Sequence, residues 1–181
     1  RFLLVLAMNP CPCGHFEDPE KECRCTANEI FRYQKKLSGP LLDRIDIQLE
    51  VPRIPIEELR KGKVEDAEES FRHQVIKTRK IQEKRLTAIA PKIWCNAEMS
   101  SKHVDNLIKL DTQAESFLKR TLEKAFLSAR GYYRILKVAQ TIADLEATSK
   151  EASLAHSGRE SPIVKTEHLA EAFQYRLKTN E

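Results

Sequence analysis

Four cysteines crowd into fifteen residues near the start of the chain, in "NPCPCGHFEDPEKECRCT": Cys11, Cys13, Cys23 and Cys25. Thiolates are soft ligands, and four of them closing one loop resemble a structural zinc site. The spacing is Cys-x-Cys twice with nine residues between the pairs, whereas the usual knuckle leaves two or more residues inside each pair. Three chemistries therefore stay open: zinc held by all four, with His15 able to replace one; free thiols; or disulfides, which a reducing compartment disfavours. The loop carries almost no apolar side chain, so a metal would supply the core that its sequence lacks. Cys95, beside Trp94 and far along the chain, reads as a packed thiol.

A second set of residues could meet an anion. Asn9 follows the apolar run "FLLVLAM" and precedes Pro10. At the carboxyl edge of a sheet, where open α/β folds bind ligands, its carboxamide could orient a water or a phosphate oxygen. The alternative is a plain turn former. Arg44, in "SGPLLDRIDI", offers a planar, permanently charged fork suited to developing phosphoryl charge, or pairs with Asp43 or Asp46 at the surface. Arg130 and Arg134 lie four apart, with Lys137 and Thr141 extending that side. Such a row is either a solvated helix face or an arginine presented across a cleft.

These residues need elements to position them. Phe2 to Met8 is expected to form a buried strand that ends at Asn9-Pro10. Thr26 with Glu29 three residues on makes a capping box for a helix through "NEIFRYQKKL", stopping near Ser38-Gly39-Pro40. A second strand is expected where Ile45, Ile47, Leu49 and Val51 alternate with polar residues. After the linker "RIPIEELRKGKVED" the pattern is helical only. A long helix over 66–90 has Phe71, Val75, Gln82 and Ile89 near one side. A shorter one is capped by Ser100 or Ser101, and another by Asp111. Ile135, Val138, Ile142 and Leu145 form an apolar stripe over "SARGYYRILKVAQTIADLEA". A polar loop, "TSKEASLAHSGRESP", precedes a last helix capped by Thr166. The expected fold is an α/β remnant in residues 1–55 followed by an all-α part in 56–181.

Hydrophobic residues make up 41 % and charged residues 32 % of the 181, and the formal charge is +4 from 31 basic and 27 acidic residues. That is ordinary soluble composition, and the charge bias allows nucleic acid without arguing for it. The apolar run at the start is too short to span a bilayer, so no membrane is expected and the default compartment is cytoplasmic. The basic run "RHQVIKTRKIQEKR" could touch phosphates or form a solvated helix face.

Four segments in order, "RFLLVLAMNPCPCG", "CRCTANEIFRYQKKLSGPLLDRIDIQLEVPR", "LSARGYYRILKVAQTIADLE" and "HLAEAFQYR", resemble the magnesium-chelatase-like AAA+ ATPases, in the competence-protein branch. The resemblance covers nearly the whole chain. It implies the carboxyl part of a ring-forming, hexameric ATPase: the end of the α/β module, then the helical lid and C-terminal domain. It implies ATP and magnesium as cofactors and DNA processing, as a helicase or in branch migration, as the activity, with metal chelation or a stand-alone binding module as rivals. By the same resemblance Asn9 is the sensor 1 residue, Arg44 the arginine finger reaching a neighbouring subunit, and Arg130 the sensor 2 arginine, with Arg134 second choice. No G-x-x-x-x-G-K-[ST] loop and no acidic Walker B strand occurs in this sequence, so the chain by itself is not expected to bind ATP tightly.

Overall fold

The computed structural model describes residues 2–52, 54, 65–124, 127–149 and 161–176. Among these there are seven α-helices: α1 (Ala27–Gln34), α2 (Gly39–Leu42), α3 (Glu65–Thr87), α4 (Ser101–Leu107), α5 (Thr112–Lys124), α6 (Ala129–Ser149) and α7 (Thr166–Gln174). A short 3-10 turn, Asn96–Glu98, precedes α4. The linker and the polar loop expected from the sequence fall largely outside the described residues.

Most helix starts follow local capping chemistry. The Glu29 backbone N–H donates to the Thr26 hydroxyl at 3.3 Å, while the Glu29 carboxylate accepts from the Thr26 N–H at 2.8 Å, so the expected capping box closes. Ser100 caps α4 by accepting the His103 N–H, and Asp111 caps α5 by accepting the Ala114 N–H at 2.7 Å. The last helix departs from expectation. Thr166 is its first helical residue, not its cap, and its hydroxyl has no hydrogen-bond partner. The His168 ring takes the capping task instead, its Nδ1 accepting the Lys165 N–H at 3.0 Å.

The chain divides into two compact units, residues 1–44 with 50–62, and residues 45–49 with 63–181. The second is built around α6, which packs against α3, α4, α7 and the 3-10 turn, while α5 packs against α7. Ile135, Leu136, Ala139 and Ala143 of α6 meet Leu86 of α3 and Leu169 and Ala172 of α7 in one buried cluster. The two alanines leave room for the neighbouring helices to approach closely. Of the expected stripe, Ile135 is fully buried and Val138 and Ile142 pack against the cluster's edge.

The expected α/β remnant does not form. No strand occurs among the described residues; the one ladder-type contact is an isolated parallel bridge between Leu110 and Val164. Residues 2–8 are irregular and exposed, Phe2 by 88 % and Leu3 by 89 %. A strand needs a partner for its row of N–H and C=O groups, and neither expected strand finds one among the described segments. The 45–49 stretch instead belongs with the helices, where the Gln48 N–H donates to the Tyr175 carbonyl at 2.7 Å just past α7.

The face of α3 also differs from expectation. Phe71, Val75 and Ile89 are exposed, whereas Thr78, Gln82, Arg85 and Leu86 are buried. Three of those four are polar. The helix is oriented by hydrogen bonds that an apolar count does not register.

Candidate functional site

In the first unit the four cysteines come together. The Cys11, Cys13 and Cys23 sulfurs form a triangle of 3.4, 3.6 and 3.8 Å, and all four Sγ atoms lie within 4.8 Å of one another. A turn makes this possible: the Gly14 N–H donates to the Cys11 carbonyl at 3.1 Å with Gly14 at φ +82°, a conformation that favours glycine. Backbone N–H groups of His15 and Arg24 point at the Cys13 sulfur and bring its thiol down to about 6. Cys25 moves oppositely, pushed up to about 12 by burial first and by its thiol neighbours, against the Cys13 N–H, which lowers it. His15 does not join the cluster. Its Nδ1 faces the Asp18 carboxylate at 3.3 Å.

Asn9 is exposed beside this loop, close enough that a Cβ at Gly14 would lie 3.6 Å from its amide nitrogen. The far end of α1 is tied to the same corner, because the Gln34 side-chain amide donates to the Pro10 carbonyl at 3.1 Å. Arg44 follows α2 and is exposed. Its guanidinium donates to the Pro40 carbonyl one turn back, at 2.8 Å. The ion pair with Asp46 considered from the sequence is not made; Asp46 is held by Arg134.

In the second unit, Arg130, Arg134 and Lys137 of α6 converge with Asp46, Ala97, Ser101 and Tyr133 on a cleft of about 310 Å³. The two sensor candidates are not equivalent there. Arg134 is bound to the Asp46 carboxylate, while Arg130 is exposed at the rim. Lys137 donates to the Ala97 carbonyl at 3.1 Å. Burial holds its ammonium below the usual lysine value, Asp46 opposes that shift, and Arg134 adds to it. The cleft offers positive charge to an anion, with one carboxylate already engaged.

Sequence reasoning missed a buried polar network in this unit. Arg85 binds Asp144 through two parallel bonds of 2.8 and 2.9 Å, with both side chains almost wholly enclosed. Asn96 bridges them, accepting from Arg85 at 2.9 Å and donating to Asp144 at 2.8 Å. Gln82 and Gln140 each donate to Asp144 as well, at 3.0 and 3.2 Å. Arg85 thus leaves the basic run in which the sequence places it. The available signal was Asp144 itself, a carboxylate one turn from Gln140 beside the apolar stripe of the helix.

The ATP and magnesium that the resemblance implies can be tested against these residues. Among the described residues, groups that could hold a metal are the four thiols and a cluster of Glu146, Glu167 and His168. Thiols are poor magnesium ligands. In the other cluster His168 is spent, capping α7 through Nδ1 and meeting Glu146 through Nε2 at 2.6 Å. With no phosphate loop in the sequence either, these residues do not build a nucleotide–magnesium cradle.

Residues 65–176 match the family described as magnesium chelatase, subunit ChlI C-terminal, and residues 1–59 match magnesium chelatase, subunit ChlI. The chain belongs to the magnesium chelatase ChlI family. Within it, the similarity is to the ComM and YifB branch. Competence protein ComM of Haemophilus influenzae is 40 % identical over 177 residues, which is 97 % of this chain and 31 % of that protein. The uncharacterized protein YifB of Escherichia coli is 36 % identical over the same length and shares. Rv2897c of Mycobacterium tuberculosis is 34 % identical over 180 residues. The chain thus spans about a third of the length of these family members. No helix among the described residues is long and apolar enough to cross a membrane.

Proposed function

We propose that this chain is the carboxyl part of a ring-forming, ATP-hydrolysing motor that processes DNA, and that it carries the residues reporting on nucleotide rather than those cradling it. The observation that carries the reading is Arg44. It is exposed, and its guanidinium is steadied by the Pro40 carbonyl of its own short helix. A fork held in that way suits the phosphoryl charge of a nucleotide bound by an adjacent subunit. Asn9 acts within its own subunit, positioning water. Arg130 is the lid arginine, since Arg134 is engaged by Asp46. DNA is the substrate class, supported by the family branch and by the exposed bases Arg72, Lys77, Arg79, Lys80 and Lys84 along α3.

The test uses full-length protein. Arg44→Ala should slow hydrolysis by roughly 10³–10⁵ while leaving ATP binding largely intact, the range seen for trans-acting arginines. Mixed with a Walker B variant that keeps its own Arg44, the inactive Arg44→Ala protein should regain turnover; Asn9→Ala should not be rescued. Mixed rings that form yet stay inactive at every ratio would refute the trans role. Stimulation of the intact ATPase by DNA supports the substrate class, and a rate indifferent to DNA opposes it.

A further inference from the structure

We propose that Cys11, Cys13, Cys23 and Cys25 form a structural zinc site that holds the first unit together. The geometry is that of a closed four-thiolate site. A zinc ion bonded to four sulfurs at about 2.3 Å sets them about 3.8 Å apart. The three separations among Cys11, Cys13 and Cys23 are 3.4, 3.6 and 3.8 Å, and Cys25 completes the set. Two disulfides would instead give two contacts near 2.05 Å, with unequal distances between the pairs. All four cysteines are free, and the near-equilateral triangle favours neither pairing.

The surroundings are those of a ligand set. Among the described residues of the first unit, the buried position is Cys11 alone, with none of its surface exposed. Among the described residues of that unit, no apolar core surrounds this thiol to hold it there. Nearby large apolar side chains such as Phe2, Leu3, Val5 and Phe31 face outward. Backbone N–H groups of His15 and Arg24 are directed at the Cys13 sulfur, that of Cys13 at Cys25 and that of Cys25 at Cys23. Amide donors aimed at sulfur disperse the negative charge of metal-bound thiolates, the usual outer support of such sites. His15 is turned away to Asp18, so the set is four thiolates and not three with an imidazole.

Soft, tetrahedral sulfur ligation selects zinc or iron among common metals. A redox-inert ion with no open coordination position suits a site whose task is to hold a loop. The loop joins Asn9 to α1, and α1 is clipped back to Pro10 by Gln34. The ion therefore fixes the corner on which Asn9 stands. This inference rests on the thiol geometry and stands or falls apart from any ATPase role.

The experiment is metal analysis of the whole 181-residue chain, purified without added metal or chelator. The expected content is about one zinc per chain, falling to near zero in Cys13→Ser and Cys23→Ser and unchanged in Cys95→Ser. Because a loop variant can fail to fold, the unmodified chain is also titrated with a mercurial. Zinc should then appear in step with the modification of four thiols. Exchange with cobalt(II) should give the intense visible bands of a tetrahedral thiolate site. The proposal is overturned by iron in place of zinc, by disulfides between these cysteines, or by negligible metal with all five thiols reacting freely.

Discussion

The two units bury different things. The helical unit encloses a contiguous apolar cluster around α6 and, beside it, a charged pair whose hydrogen bonds are mostly met inside the protein. Among its described residues the first unit encloses one thiol and leaves the apolar run Phe2 to Met8 facing outward. Both reach a defined geometry by different means. In one, side-chain packing sets the positions, and the polar network fixes the rotation of α3 against α6. In the other, local turns and caps shape the backbone, and long-range order depends on a sulfur cluster and the contact from Gln34 to Pro10. Changes at single residues should therefore weigh differently in the two.

The largest effect is expected at the buried ion pair. Asp144→Ala leaves Arg85 charged and enclosed with its main acceptor gone, which costs roughly 3–5 kcal/mol for a buried pair broken on one side. Urea denaturation followed by helix circular dichroism measures it. Replacing both partners, Arg85→Met with Asp144→Leu, should recover part of the loss, because no charge is then left enclosed although Gln82 and Asn96 still lose their shared acceptor. If the double variant is no better than the single, the pair is not the source of the cost.

Next in size is the apolar cluster. Leu169→Ala removes a fully buried side chain from α7 and should cost roughly 2–5 kcal/mol, the spread reflecting how far the site can close. Its loss should appear in the same transition as that of Asp144→Ala, because both belong to one packed unit.

In the first unit the sensitive point is local. Thr26→Ala removes the cap of α1 and should cost about 1 kcal/mol, read as loss of helix and not as global unfolding. The Thr26 N–H, followed by its hydroxyl, holds the Glu29 carboxyl below its ordinary value. A depressed folded-state value makes this contribution complete above the ordinary glutamate range and removes it as pH falls through the lowered value. Fraying of α1 should thus increase on acidification below the usual glutamate range, and only slightly less so in Thr26→Ala, which loses the hydroxyl contact but keeps the backbone N–H that is the larger cause.

The smallest change is expected at Leu3→Ser. The side chain is 89 % exposed, so stability should move by no more than about 0.5 kcal/mol. A loss comparable with that of Leu169→Ala would erase the contrast between the units.

The same contrast explains what the sequence made legible. Caps were readable because a capping box spans three residues and its chemistry is local: Thr26, Ser100 and Asp111 all act as their types and positions predict. The gathering of the four cysteines was readable from spacing. The strands were read wrongly because an apolar run (Phe2 to Met8) or an alternating pattern (Ile45 to Val51) records what would be buried, not whether a neighbouring strand exists to bury it. The Arg134 contact with Asp46 joins residues 88 apart in sequence, and no local pattern announces it. Arg85 looks like any other base in "RHQVIKTRKIQEKR" until its partner on α6 is known. His168 shows a related blind spot: the hydroxyl of Thr166 was the obvious cap, and an imidazole two residues on does the work.

The enclosed network around Asp144 has a consequence for inheritance. Gln82 and Arg85 come from α3, Asn96 from the turn before α4, and Gln140 and Asp144 from α6, so one set of bonds is written in three separated places. A substitution at any one leaves the others mismatched in a place water does not reach. Across relatives these five positions should change together or not at all, giving a covariation signal stronger than that of the apolar residues around them, which tolerate exchange for one another. A chimera that takes α6 from one relative and α3 from another is then safe only where both parents carry the same five residues.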